Sequence, residues 1–202
     1  MTLRLNGSSS GYTEIDAPAA AGSNTLTLPT GNGSAGQVLS TNGSGVLSFV
    51  NAITEVDQWY LTADLTADGN ITTNLARNNH EGATFIGTGM SESSGIFSFP
   101  STGKYLILVF GMFACIGGDS VNLLVDVTLD NSSYNLVAFA TAGNGSGVNI
   151  QTQGSTAYFL DVTDTSAVKV RFGANNISSG SAVKGDSGRL ETNFVFIRLG
   201  DT

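Results

Sequence analysis

Residues 95–118 read GIFSFPSTGKYLILVFGMFACIGG. Lys104 carries the only charge, and the second half is almost wholly apolar. The run is shorter than the roughly 18 apolar residues of a spanning helix. Glycine stands at both of its ends and Pro100 lies within it, and these residues interrupt or bound regular structure. KYLILVFGMFACI therefore reads as a strand that is apolar on both faces. An antiparallel sandwich buries one face of each sheet and wets the other. An apolar outer face must be covered or it is a sticky patch. NFVFIRL, at 193–199, repeats the problem. A second copy of the chain is the simplest cover, and a folded-back N-terminal segment is the alternative.

Outward from this stretch the pattern is that of half-buried strands. VNLLVDVTLD alternates, with Val121, Leu123, Val125, Val127 and Leu129 on one face. AVKVRFG does the same with Val168, Val170 and Phe172 inward. Clusters of Gly, Ser, Asn and Asp punctuate the segments. Eight to ten short strands at this spacing predict an all-β sandwich or jelly roll. Composition agrees. Charged residues are 12% of 202, about half the usual share, and no helical stripe of Leu, Glu and Lys is present.

The chain changes character near Asn51. Residues 1–52 hold only Arg4, Glu14 and Asp16 as charges, and short strand-like pieces alternate with turns. Asn-Gly recurs at Asn6-Gly7, Asn32-Gly33 and Asn42-Gly43, a pair suited to tight turns. QVLSTNGSGVLSFV reads as a hairpin around Asn42 to Gly45. Leu26, Leu28, Val38, Leu39, Leu47 and Phe49 are most of what this segment has for a core. So small a segment does not bury enough surface alone. It reads as a β-rich arm, 1–52, ordered on copies of itself or on another protein, before a head domain, 53–202.

Two resemblances sharpen this. Gly95, Phe97, Pro100, Gly103 and Tyr105 fit the G-x-F-x-x-P-x-x-G-x-Y pattern, so residues 53–202 resemble the complement C1q globular-head and tumour-necrosis-factor superfamily. The resemblance implies a C1q/TNF-like jelly-roll sandwich forming a homotrimer, with the last strand facing the threefold axis. The expected interface residues are Tyr105, Ile107, Val109, Phe194, Val195, Ile197 and Leu199. The collagen stalk and signal peptide of secreted animal members are missing from this sequence. GYTEIDAPAAAGSNTLTLPTGNGSAGQVLSTNGSGVLSF, with its strand-like pieces such as NTLTLPT, makes residues 7–50 resemble a segment recurrent in structural proteins of bacteriophages, cyanophages in particular. That implies an attachment arm and a virion-surface location after assembly in the host cytoplasm.

Candidate chemistry is sparse. Cys115 is the single cysteine, which rules out an intrachain disulfide and a paired-cysteine metal site. His80, in LARNNHEG, is the single histidine and reads as a surface-loop residue. The Gly-x-Ser-x-Gly spacing at Gly7 to Gly11 lies in the β-rich arm with no helix pattern after it, so it is no nucleophile elbow. Asp64, Asp68 and Asn70 could give oxygen ligands to calcium, but at no calcium-loop spacing, so a polar turn is the expectation. Asp161/Asp164 and Asp130/Asn131 read likewise. The Asn-x-Ser/Thr sites at Asn70, Asn131, Asn144 and Asn176 read as turn chemistry. GNGSAG and AGNGSG lack the lysine of a phosphate loop. Trp59 and Tyr60 are expected to pack into the sandwich rather than stand exposed for sugar stacking. A net charge of −8 opposes nucleic-acid binding. No cofactor, metal, catalytic residue or membrane insertion is expected.

The leading expectation is a non-enzymatic bacteriophage virion structural protein, a short trimeric tail fibre. Its head projects from the particle and binds a host surface glycan or protein. The alternatives are a capsid decoration (cement) protein docked on the head lattice through its arm, and a free lectin-like binding module. A polysaccharide-degrading enzyme would need an acid pair, and none is evident.

Overall fold

The computed structural model describes residues 3–143, 145, 149–178 and 180–202. Asn144, Ser146 and Gly147 of the AGNGSG turn lie outside the described residues. The described chain is all β and separates into Met1–Ala52 and Ile53–Thr202.

In the first unit β1 (Leu3–Asn6) pairs with β2 (Tyr12–Ile15), and β3 (Gln37–Thr41) with β4 (Leu47–Asn51), both antiparallel. The second hairpin turns where Asn-Gly requires it. Gly43 has φ 80°, and the Asn42 side-chain oxygen accepts from Ser44 and Val46 amides at 2.9 and 3.2 Å. NTLTLPT, which alternates like a strand, contributes only a bridge between Thr27 and Val46. Among the described residues of this unit none is buried.

The second unit holds β5 (Val56–Leu61), β6 (Ala63–Leu65), β7 (Gly69–Asn70), β8 (Leu75–Arg77), β9 (Ser91–Ser93), β10 (Ile96–Ser98) and β11 (Gly103–Cys115). There follow β12 (Ser120–Thr128), β13 (Asn135–Gly143), β14 (Ile150–Val162), β15 (Lys169–Asn175), β16 (Ala182–Asp186) and β17 (Asn193–Gly200). Sheet I runs β14-β11-β17-β5-β8, with β16 and β6 beside the far end of β11. Sheet II runs β13-β12-β15-β10-β9, with β7 against β15. The inward faces of the two sheets form the core of a sandwich.

That core is aromatic at its centre. Phe172 stacks on Phe194 with centroids 3.9 Å apart, and Phe97 meets Phe172, Phe196 and the edge of Trp59 at 5.3–5.5 Å. Such ring pairs add about 0.5–1.5 kcal/mol each beyond area burial. Gly111 and Gly154 face each other across the β11-β14 ladder. A Cβ on Gly111 would stand 2.6 Å from the Phe113 ring, so the two glycines make room for that ring. Val121, Leu123, Val125 and Val127 are buried as their alternation predicts. Leu129 is not: β12 ends at Thr128 and Leu129 is exposed.

Candidate functional site

The recurrent pattern around Pro100 is structural. Gly95 has φ 82°, and a side chain there would overlap the Ile71 carbonyl oxygen. Gly103 has φ 143° and lies against Arg198 and Gly200 of β17. Phe97 is fully buried. The Tyr105 hydroxyl donates to the Ser101 carbonyl at 3.1 Å, and its burial raises the phenol pKa.

Four of the seven expected interface residues need correcting. Tyr105, Ile107, Val109 and Phe194 are at most 1% exposed and point between the sheets. A side chain with no surface on a single chain has none to give a neighbour. Val195 and Ile197 do point outward, half-buried, and Leu199 is exposed where the β11-β17 register shifts.

The outer face of sheet I is instead built from residues of the other parity. Register places Phe159, Leu106, Ile197 and Val56 in one row. Ala157, Leu108, Val195 and Gln58 form the next, and Ser155, Phe110, Asn193 and Tyr60 the third. Phe159 is 65% exposed and Phe110 42%. Lys104 and Asp161, paired at 3.4 Å, close one end. A cavity of about 460 Å³ indents the other end, lined by Phe110, Gln153, Ser155, Leu190, Glu191 and Asn193. Leu106, Leu108, Phe110 and Phe159 were missed from sequence. The signal was present: Lys104 and Asn193, polar residues that prefer water, mark the outward parity of β11 and β17.

The β5 border of this face is held by polar contacts. Gln58 donates to Asn193 at 3.1 Å and accepts from Asn78 at 2.8 Å. Behind it, the buried Asp57 carboxylate accepts from Trp59 Nε1 at 2.8 Å, Arg77 Nε at 3.0 Å and the Met90 amide at 2.7 Å. Trp59 packs on the sandwich core through Phe97, as expected, whereas Tyr60 is buried on the outer side of the sheet, beside His80 and the Ser187 carbonyl. The His80 ring is also half-buried, 5.0 Å from Tyr60, rather than a free loop residue. Its Nε2 is buried without a partner among the described residues.

The acidic pairs do not converge. Asp64 is bonded to Lys184 and the Gly185 amide, and Asp68 accepts from the Ile177 amide. Asp161 faces Lys104, while Asp164 and Asp130 accept from the Ser166 and Ser132 turns. Asn131 and Asn176 hold positive φ, as turn residues do. Among the described residues no cluster of three His, Cys, Asp or Glu forms a metal site.

The arm residues Leu26, Leu28, Val38 and Leu39 are exposed, and Leu47 and Phe49 half-buried. Leu39, Leu47 and Phe49 share one face of the β3-β4 hairpin.

No protein-family profile and no curated protein matches the chain. Solved structures do. Eiger TNF from S. frugiperda superposes with TM-score 0.55 at 12% identity, covering 74% of this chain and 95% of that one. Murine APRIL gives TM-score 0.55 at 10% identity, covering 72% of this chain and 98% of that one. At these identities the likeness establishes fold: the chain carries a TNF-like jelly roll.

Proposed function

We propose that this chain is a non-enzymatic, homotrimeric binding and structural module. Three heads pack through the outer faces of sheet I, and three arms share one core. The observation that carries this reading is the contiguous apolar face Leu106, Leu108, Phe110, Phe159, Val195 and Ile197, built on the most extensively paired strands of the head. Isolated soluble chains rarely present such a face. The arm adds weight, because none of its described residues is buried.

The finer reading is a short virion fibre, arm toward the particle and head outward. It rests on the resemblance of residues 7–50 to phage structural proteins. The exposed apolar side chains of both arm hairpins favour a second reading, a capsid decoration protein whose arm docks on the head lattice. Multi-angle light scattering tests the first claim: three times 20.7 kDa is expected, and a monomer at micromolar concentration overturns it. Gold labelling of the head on intact particles separates fibre from decoration. Label at the tail supports the fibre, and label over the capsid supports the second reading.

A further inference from the structure

Sheet II has an outer face too, on the side of the sandwich away from the proposed trimer contact. Three rows cross it. In the middle row stand Phe139, Leu124, Gly173 and Asn70. One flanking row is Thr141, Asn122 and Asn175, and the other is Leu136, Asp126 and Arg171. A register shift opposite Val125 and Asp126 puts one extra residue, Val137, into β13. The bulge brings Leu136 and Phe139, three apart, onto the same face. Both are more than half exposed.

The flanking rows are held in place from within. Asn122 donates to the Asn175 side chain at 2.8 Å. Arg171 Nε donates to Asp126 at 3.1 Å, and the guanidinium lies over the Tyr134 ring at 4.0 Å. Each of these bonds uses one end of a planar polar group. Among the described residues Asn122 Oδ1 and Asn175 Nδ2 make no further hydrogen bond, and the Arg171 Nη groups make no contact beyond their stacking on Tyr134. Gly173 keeps the middle low, so that the Asn70 carboxamide leans over it, its oxygen 3.3 Å from where a Cβ would stand. From Phe139 to Asn70 the platform crosses three strand spacings, about 14 Å.

We propose that this platform is a glycan-binding site for neutral oligosaccharides, an inference that rests on the reading of the head as a binding module. An exposed aromatic ring offers an apolar plane to the C–H face of a pyranose. Two rails of pre-oriented amide and guanidinium groups meet the hydroxyls at its rim. Chemistry and charge choose the occupant. The apolar part is three side chains, Phe139 and Leu136 with half-buried Leu124, set between polar rows, a mix that suits the C–H face and hydroxyl rim of a sugar. Asp126 neutralises Arg171, and the chain carries −8, so an acidic glycan finds no net attraction.

The test uses the full chain on an array of neutral gluco-, galacto- and manno-oligosaccharides beside uronic-acid and sialylated ones, followed by titration of the best neutral binder. Phe139→Ala and Asn70→Ala should each weaken binding about tenfold, the scale of one aromatic or paired polar contact, with melting temperature unchanged. Failure to bind any neutral glycan overturns the site, as does binding restricted to acidic glycans or left intact in both variants. Capture of a protein ligand through Phe139 in place of a glycan overturns it as well. Light scattering on the same samples reads the trimer separately. A glycan-binding monomer removes the trimer and leaves the platform, and a trimer blind to every neutral glycan does the reverse.

Discussion

At the scale of single residues, the buried Asp57 ties three segments of the head together. Its carboxylate is 2% exposed and serves three donors on three segments: Trp59 of β5, Arg77 of β8 and the Met90 amide ahead of β9. Removing it leaves an indole N–H and an amide unsatisfied and a guanidinium unpaired. Loss of one partner from such a buried pair costs about 3 kcal/mol. Asp57→Ala should lose about that much in urea denaturation, with the slope unchanged. None of this was legible in the sequence, since VDQWYL does not say that an aspartate two positions before a tryptophan in a strand will face inward. What was legible was the glycine and aromatic spacing of 95–105, because steric demands on Gly95 and Gly103 and the burial of Phe97 are local properties. The parity of β11 was harder. With apolar residues on both faces the alternation vanishes, and only Lys104 and the opposed glycines Gly111 and Gly154 break the tie. Four interface residues were assigned to the wrong face for that reason.

At the scale of elements, the turn between β11 and β12 is tied to the segment before β16 by one carboxylate. Asp119 accepts from the Ser178 amide at 3.0 Å. The Ser181 side chain is the largest influence holding its pKa at about 2, below the ordinary 3.8. A depressed folded-state pKa gives stability that is fully present above 3.8 and is lost as pH falls through about 2. Wild type should therefore lose melting temperature between pH 4 and pH 2 more steeply than Asp119→Asn. Parallel curves for the two would show that the carboxylate contributes nothing in acid. The element that sequence reading overestimated is NTLTLPT. Its alternation is as regular as that of β3, but among the described residues it makes only an isolated bridge, Thr27 to Val46 just ahead of β4. The thirteen strands among the described residues of the head exceed the eight to ten expected, because two- and three-residue strands such as β6 and β7 carry no periodic signal.

At the scale of the whole molecule, the proposed trimer would couple assembly to folding, through the outer face of sheet I and an arm with no buried side chain among its described residues. Val195→Asp places a carboxylate between Leu108 and Gln58 on the proposed contact. It should convert a 3 × 20.7 kDa species into a monomer in light scattering while the circular dichroism of the head persists. A trimer that tolerates the charge would move the contact elsewhere. The topology of sheet I also bears on synthesis. β5 opens the head, yet its long partner is β17, and Gln58 meets Asn193 across 135 residues. β11 lies between β14 and β17, both made after it. A nascent chain thus carries its most hydrophobic strand with one edge open until Gly200 has left the ribosome, at synthesis rates of about 5–20 residues per second. Co-translational chaperones that shield extended apolar segments are the natural guardians of that interval, and slow translation over residues 116–192 would lengthen the exposure.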